Sequence, residues 1–195
     1  PVCVKQTAGS PQSQETFMVG KDGKSLANVF VYVKEGLSPD YSFDVPTESA
    51  KIDQQNCRYH PHVFGMRVGQ KLEIVNSDPT LHNIHALPKG NSEFNTGQPI
   101  QGMKTTHTFD KPEVMVPFKC DVHGWMNAYV GVLDHPYFAT TEKDGKFELK
   151  DLPPGTYTIE AWHEKLGPQT ATVTLGQKET KDVNFTFKAP AAATN

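Results

Sequence analysis

Apolar residues in this chain recur at every second position in short runs, and Gly, Pro, Asn and Asp separate the runs. That period belongs to half-buried strands, not helices. Leu72 and Ile74 alternate with charged residues between a Val68-Gly-Gln-Lys turn and an Asn76-Ser-Asp-Pro break. Val114, Val116 and Phe118 alternate up to Lys119, and Ala128 to Leu133 reads as the next strand. Further on, Phe147 and Leu149 alternate beside an Asp144-Gly145 hairpin signal, and Tyr157, Ile159 and Ala161 alternate after the turn Pro153-Pro-Gly-Thr. Thr170–Leu175 and Val183–Phe187 supply two more strands. The pattern predicts an all-β chain, and no apolar run approaches the roughly 18 residues of a membrane-spanning helix.

Chemistry enters between two of these strands. Cys120, His123 and Met126, in Cys-Asp-Val-His-Gly-Trp-Met, bring a thiolate, an imidazole and a thioether into one loop. His82 is the natural fourth donor, at the end of a strand-like run far away in sequence. Two His, one Cys and a weak axial Met form the trigonal set that tunes copper for electron transfer. With these inner positions filled, no open coordination position remains for a substrate, which argues against metal-assisted hydrolysis. A strand, a ligand loop and a returning strand form the corner at which a β-sandwich gathers such ligands.

The stretch from about Ile52 to Leu133 resembles a cupredoxin and is most similar to the amicyanin type. The shared features are Tyr59 and Pro61, His82-Asn83-Ile84-His85, Thr108-Phe109 and the short Cys-x-x-His-x-x-Met loop. The resemblance implies His82, Cys120, His123 and Met126 as ligands of one type 1 (blue) copper ion. It also implies Asn83 as the residue that steadies the Cys-bearing loop by hydrogen bonding, and it leaves His85 outside the ligand set. The chain departs from amicyanins at Gly124-Trp125, where they carry a proline after the second His, and in the additional Cys57.

The C-terminal part resembles the carboxypeptidase regulatory-like (prealbumin-like) β-sandwich, on Asp144-Gly-Lys-Phe147 and Leu152-Pro-Pro-Gly-Thr-Tyr157. Gly23-Lys-Ser-Leu-Ala-Asn-Val-Phe-Val-Tyr-Val33 fits the first strand of such a module. The expected fold is therefore a Greek-key cupredoxin sandwich plus a second small antiparallel β-sandwich. In this organisation residues 1–44 contribute a strand at about 26–33 to the second sandwich, and 45–136 form the copper domain, inserted between roughly Gly36 and Phe138. Residues 137–188 complete the second sandwich, and 189–195 form a flexible tail.

At 195 residues the chain is long enough for one large or two small cores. A formal charge of −3 with dispersed lysines gives no basic footprint for nucleic acid. The start at Pro1 without a leader fits a removed secretory signal and a periplasmic or extracytoplasmic protein. If Cys120 binds copper, Cys3 and Cys57 are left as a pair, either disulfide-bonded or free and buried; the rival pairing is Cys57 with Cys120. His60 and His62 share a strand face, and with His85 or His107 they form either a second metal site or ordinary hydrogen-bonded side chains.

The resemblance implies electron exchange at the edge of His123, within an apolar rim of Pro79, Leu81, Met103, Gly124 and Trp125. The partner expected there is a redox protein such as a c-type cytochrome, or a dehydrogenase or oxidase subunit. The chain then acts as an electron carrier and not an enzyme, either free or as a fixed subunit of a membrane-associated respiratory or redox complex. The alternatives are a copper chaperone or storage module, and a non-redox binding protein with a relict copper domain.

Overall fold

The computed structural model describes residues 2–6 and 14–188. These contain one short helix, α1 (Val2–Gln6), and the strands β1 (Phe30–Glu35), β2 (Ala50–Gln55), β3 (Arg58–His60), β4 (Val63–Arg67), β5 (Leu72–Asn76), β6 (His82–Ala86), β7 (Phe94–Gln98), β8 (Lys104–His107), β9 (Glu113–Lys119), β10 (Asn127–Leu133), β11 (Phe138–Thr140), β12 (Gly155–His163) and β13 (Gly167–Leu175). Apart from α1, the described residues are all-β, in three sheets. It forms two compact units, one of Pro1–Glu15 with Phe43–Pro136 and the other of Thr16–Ser42 with Tyr137–Asn195.

In the first unit a five-stranded sheet, β4-β10-β9-β6-β7, and a four-stranded sheet, β3-β2-β5-β8, enclose a single core. Pairing is antiparallel except for β10 with β4 and β2 with β5. Side chains from both sheets, among them Ile52, Ile74, Ile84, Val116, Phe118 and Val130, bury together. Burial of each such residue contributes about 1.5–3 kcal/mol. Residues 2–6, which the sequence reading placed with the strand near 26–33, lie in this unit, where Cys3 is bonded to Cys57. The alternatives for these two cysteines, free thiols or a Cys57–Cys120 bridge, do not hold, since Cys120 is the free one.

The alternation expected through Val114, Val116 and Phe118 is broken at one point. Val116 and Phe118 are buried, but Val114 is exposed and Met115 takes its place inside. Met115 has a positive φ of 62°, and the register of β9 on β10 shifts between Val130 and Val132. A bulge of this kind inserts one residue and exchanges the faces beyond it.

The second unit carries one antiparallel sheet, β11-β1-β12-β13. Glu160 in β12 ties the strands together, accepting from Tyr32 Oη at 2.7 Å and pairing with Lys34 at 2.6 Å. Residues 147–149 and 183–187, expected as strands, run outside any strand, although the rings of Phe147 and Phe185 approach within 6.2 Å. Residues 10–13 and the tail 189–195 lie outside the described residues.

Candidate metal centre

Strand register builds the site. β6 lies antiparallel to β9 with His85 opposite Lys119. Carrying that register one step past β9 brings the Cys120 loop alongside His82–Ile84. Asn83 meets it there, its Oδ1 accepting the Asp121 N–H at 2.7 Å. The loop closes on itself, with Cys120 N–H donating to Met126 O (3.1 Å) and Met126 N–H to His123 O (2.9 Å). Asn127 then pairs with Lys119 as β10 begins.

Three donor atoms converge. His82 Nδ1 and His123 Nδ1 are 3.0 Å apart, and Cys120 Sγ lies 3.8 Å from His123 Nδ1. With the third spacing included, all three fall within 4.8 Å of one another. Two nitrogens so spaced suit bonds of about 2 Å to a common ion, the length usual for imidazole on a first-row metal. His82 and Cys120 are buried and His123 is half-buried. Met126 is buried in the same apolar cluster as Cys120.

The outer ring nitrogens decide which atoms face inward. His82 Nε2 meets a carboxylate oxygen of buried Asp78 at 2.8 Å, so Nε2 carries a proton and Nδ1 points inward toward His123 and Cys120. His123 Nε2 faces Cys3 Sγ of the disulfide at 3.5 Å, a weak acceptor, which leaves its Nδ1 in the same state. Burial opposes ionisation of Cys120, but hydrogen bonds from His82 and from the backbone of Asn83, His123 and Val122 hold the thiol below its ordinary pKa. Burial likewise opposes the protonated form of His82, yet its bonds to Cys120 and Asp78 raise it above the usual value. His123 is lowered, first by burial and then by the charge of His82. Two inward ring nitrogens and a thiolate-favouring sulfur face one buried space, where a metal ion would take the place of the proton shared by His82 and Cys120. The donor set of soft thiolate and imidazole suits copper.

Asn83 spans the site's flank. Beyond the Asp121 N–H, its Nδ2 donates to Asn95 Oδ1 (2.7 Å) and Asp121 Oδ2 (3.0 Å). Asp121 also takes Asn95 Nδ2 at 2.7 Å, Lys119 at 3.0 Å and His85 at 3.0 Å. Tyr59, fully buried, donates its hydroxyl to Asn83 O. Its pKa is pushed far up, chiefly by burial and then by the nearby Cys120.

The remaining histidines have ordinary surroundings. His62 donates from Nδ1 to Asn127 O (3.0 Å), His85 lies between Asp121 and Glu93, and His107 stacks on Phe94 at 3.8 Å. Among the described residues, the metal-type clusters of His, Cys and carboxylate both contain His82 and none of His60, His62, His85 or His107. The second of these, Cys57 with Asp78 and His82, is a hydrogen-bonded set, because the Cys57 sulfur is in the disulfide.

Of the rim residues, Leu81 (43% exposed) and Trp125 (37%) face solvent, as do Pro79 and Gly124, while Met103 is half-buried. Trp125 packs on His123 at 5.2 Å and donates its indole N–H to Cys57 O at 2.9 Å. The His123 edge is therefore flanked by the indole and the disulfide. Sequence reasoning missed Val122, which lies between Cys120 and His123 in the loop and is more exposed than Leu81 or Trp125. It also missed Asp78, whose only signal is the Asn76-Ser-Asp-Pro turn four residues before His82.

Comparison with known proteins gives two likenesses. Residues 126–188 match the family model of the carboxypeptidase regulatory-like domain. Solved structures of copper proteins match about half of the chain. The copper-containing nitrite reductase NirK of Thermus scotoductus SA-01 is 20% identical, covering 52% of this chain and 26% of its own, with a TM-score of 0.42. A purple cupredoxin from Nitrosopumilus maritimus is 22% identical over 43% of this chain and 99% of its own, with a TM-score of 0.37. The Cu(I) form of an amicyanin point mutant is 19% identical over 51% and 99%, with a TM-score of 0.39. No curated protein matches the chain.

Proposed function

We propose that this protein is a type 1 copper electron carrier, with His82, Cys120, His123 and Met126 as its ligands. The observation that carries the reading is the inward convergence of His82 Nδ1, His123 Nδ1 and Cys120 Sγ while both outer nitrogens are engaged elsewhere. Copper bound there supplies one-electron chemistry between Cu(II) and Cu(I). Cys120 contributes a soft anionic donor, the two imidazoles suit both oxidation states, and Met126 offers a weak thioether. Asn83, through Asp121, fixes the loop that carries Cys120 and His123. Burial of His82 and Cys120 excludes water, and it speaks against a chaperone, which must offer exposed ligands for transfer.

Electrons enter and leave at the face that carries Leu81, Val122 and Trp125, with Pro79, Met103 and Gly124 at its rim. A small apolar docking face suits a transient redox partner, and a c-type cytochrome or the subunit of a dehydrogenase or oxidase complex fills that role. The Cys3–Cys57 disulfide fits an oxidising, extracytoplasmic compartment. Among the described residues no helix is long and apolar enough to cross a membrane.

The test is a Cu(II) titration of the protein followed by reduction with one electron equivalent. Uptake of one ion with an intense thiolate-to-copper band, bleached and restored reversibly and absent in Cys120→Ser, supports the proposal. Uptake without colour overturns it.

A further inference from the structure

Asp78 is a carboxylate held directly against the ligand set through an outer nitrogen, and it is buried, with 1% of its surface exposed. It accepts from His82 Nε2 at 2.8 Å, Cys57 N at 2.8 Å and Asn56 N at 2.9 Å. The two backbone donors come from the turn between β2 and β3, where Asn56 and Cys57 both have positive φ, 53° and 56°. That two-residue turn points both amides at the carboxylate. The backbone N–H of Asp78 is in turn held by Asn76 Oδ1 at 3.0 Å. The carboxylate is therefore fixed from both sides.

His123 differs in kind. Its outer nitrogen meets a neutral disulfide sulfur, at 3.5 Å. The two imidazoles are thus unequal, and the carboxylate is bonded directly to His82.

We propose that Asp78 is a positioning and tuning residue that holds this centre toward its oxidised state, an inference that rests on the copper reading above. With the Cys120 thiolate and the Asp78 carboxylate, the assembly is neutral around Cu(II) and carries one negative charge around Cu(I). A buried net charge is costly, so the neutral, oxidised form is favoured and the reduced form gives up its electron readily. A carboxylate on the outer nitrogen also raises the basicity of a ligating imidazole, which works in the same direction. The bonds to Asn56 and Cys57 place the charge without a flexible linker.

Two measurements test this. In the copper-free protein, long-range proton–nitrogen correlation spectra report which nitrogen of His82 carries the proton. A hydrogen-bonded Nε2–H is expected, and an unprotonated Nε2 overturns the proposal whatever a variant does. In the copper-loaded protein, Asp78→Asn keeps the size and an acceptor for the turn but removes the charge. It is expected to keep the thiolate-to-copper band and to shift the Cu(II)/Cu(I) equilibrium at least about tenfold toward Cu(I), a rise of roughly 59 mV. A variant with the band intact and an equilibrium within about twofold of wild type (roughly 18 mV) overturns it. Wild-type protein without the band removes the copper reading itself, and this inference with it.

Discussion

Removing the Cys3–Cys57 disulfide tests how the N-terminal segment is secured in the copper-site unit. The two cysteines are 54 residues apart in sequence, and both are buried. Opening a loop of that length restores conformational freedom to the unfolded chain. In the chain-entropy account this is about 4 kcal/mol at 25 °C, with native-state relaxation able to reduce it. Cys3→Ala with Cys57→Ala suits the perturbation, since neither alanine buries a hydroxyl. The chain has two compact units, so a single unfolding curve mixes two transitions. Native-state hydrogen exchange separates them, because amides of β5 and β9 report the copper-site unit and those of β12 report the other. Protection in β5 and β9 is expected to fall by about a thousandfold, the equivalent of 4 kcal/mol, and protection in β12 to stay unchanged. The Cys57 backbone bonds to Asp78 and Trp125 do not use its sulfur, so the 56–57 turn is expected to persist. A loss under about 1 kcal/mol, in a protein whose wild type titrates a single free thiol when unreduced, refutes loop closure as what holds the segment.

Asn83→Ala strips the Asp121 N–H and Asn95 of their partner, and should weaken copper affinity about 10- to 100-fold; competition with a chelator measures it, and unchanged affinity counts against the loop-fixing role. Trp125→Ala should slow electron exchange with a c-type cytochrome by about tenfold or more, as expected for a central aromatic anchor, with stopped-flow rates as the readout and equal rates excluding docking at the indole. The Asp121 carboxyl is held far below the usual carboxylate range, first by Lys119 and then by Asn95. A depressed folded value gives stabilisation that is present above the unfolded pKa of about 3.9 and lost as pH falls further. The Asp121 carboxyl carbon resonance should therefore still report the ionised form at about pH 3, and a midpoint near 4 would show that the network does not form.

The sequence made the ligand loop legible because its donors are local. Cys120, His123 and Met126 fall within seven residues between two apolar runs, and their types alone select a metal. His82 was readable as a donor at a strand boundary, but its relation to Asp78 was not. That contact depends on the Asx-type turn at Asn76 and on a hairpin turn more than twenty residues upstream. The strands β7 and β8 were missed for a different reason. Both are sheet edges built almost wholly of polar residues, so although their burial alternates and Gln98 is fully buried, no apolar alternation marks them in the sequence. At Val114 the alternation was genuine in sequence but was shifted by the bulge at Met115, a backbone event with no apolar signature. Conversely, 183–187 alternates well and forms no strand. Pattern reports which side chains seek burial, while pairing depends on the strand that a segment finds beside it.

The electron paramagnetic resonance spectrum of the copper-loaded protein, recorded with its visible absorption and repeated for Met126→Leu, tests the central claim most directly. An intense thiolate-to-copper band with the narrow hyperfine splitting of a trigonal Cu(II) site is expected, and the same band in Met126→Leu. A colourless Cu(II) protein with the wide splitting of a tetragonal nitrogen and oxygen site would contradict it.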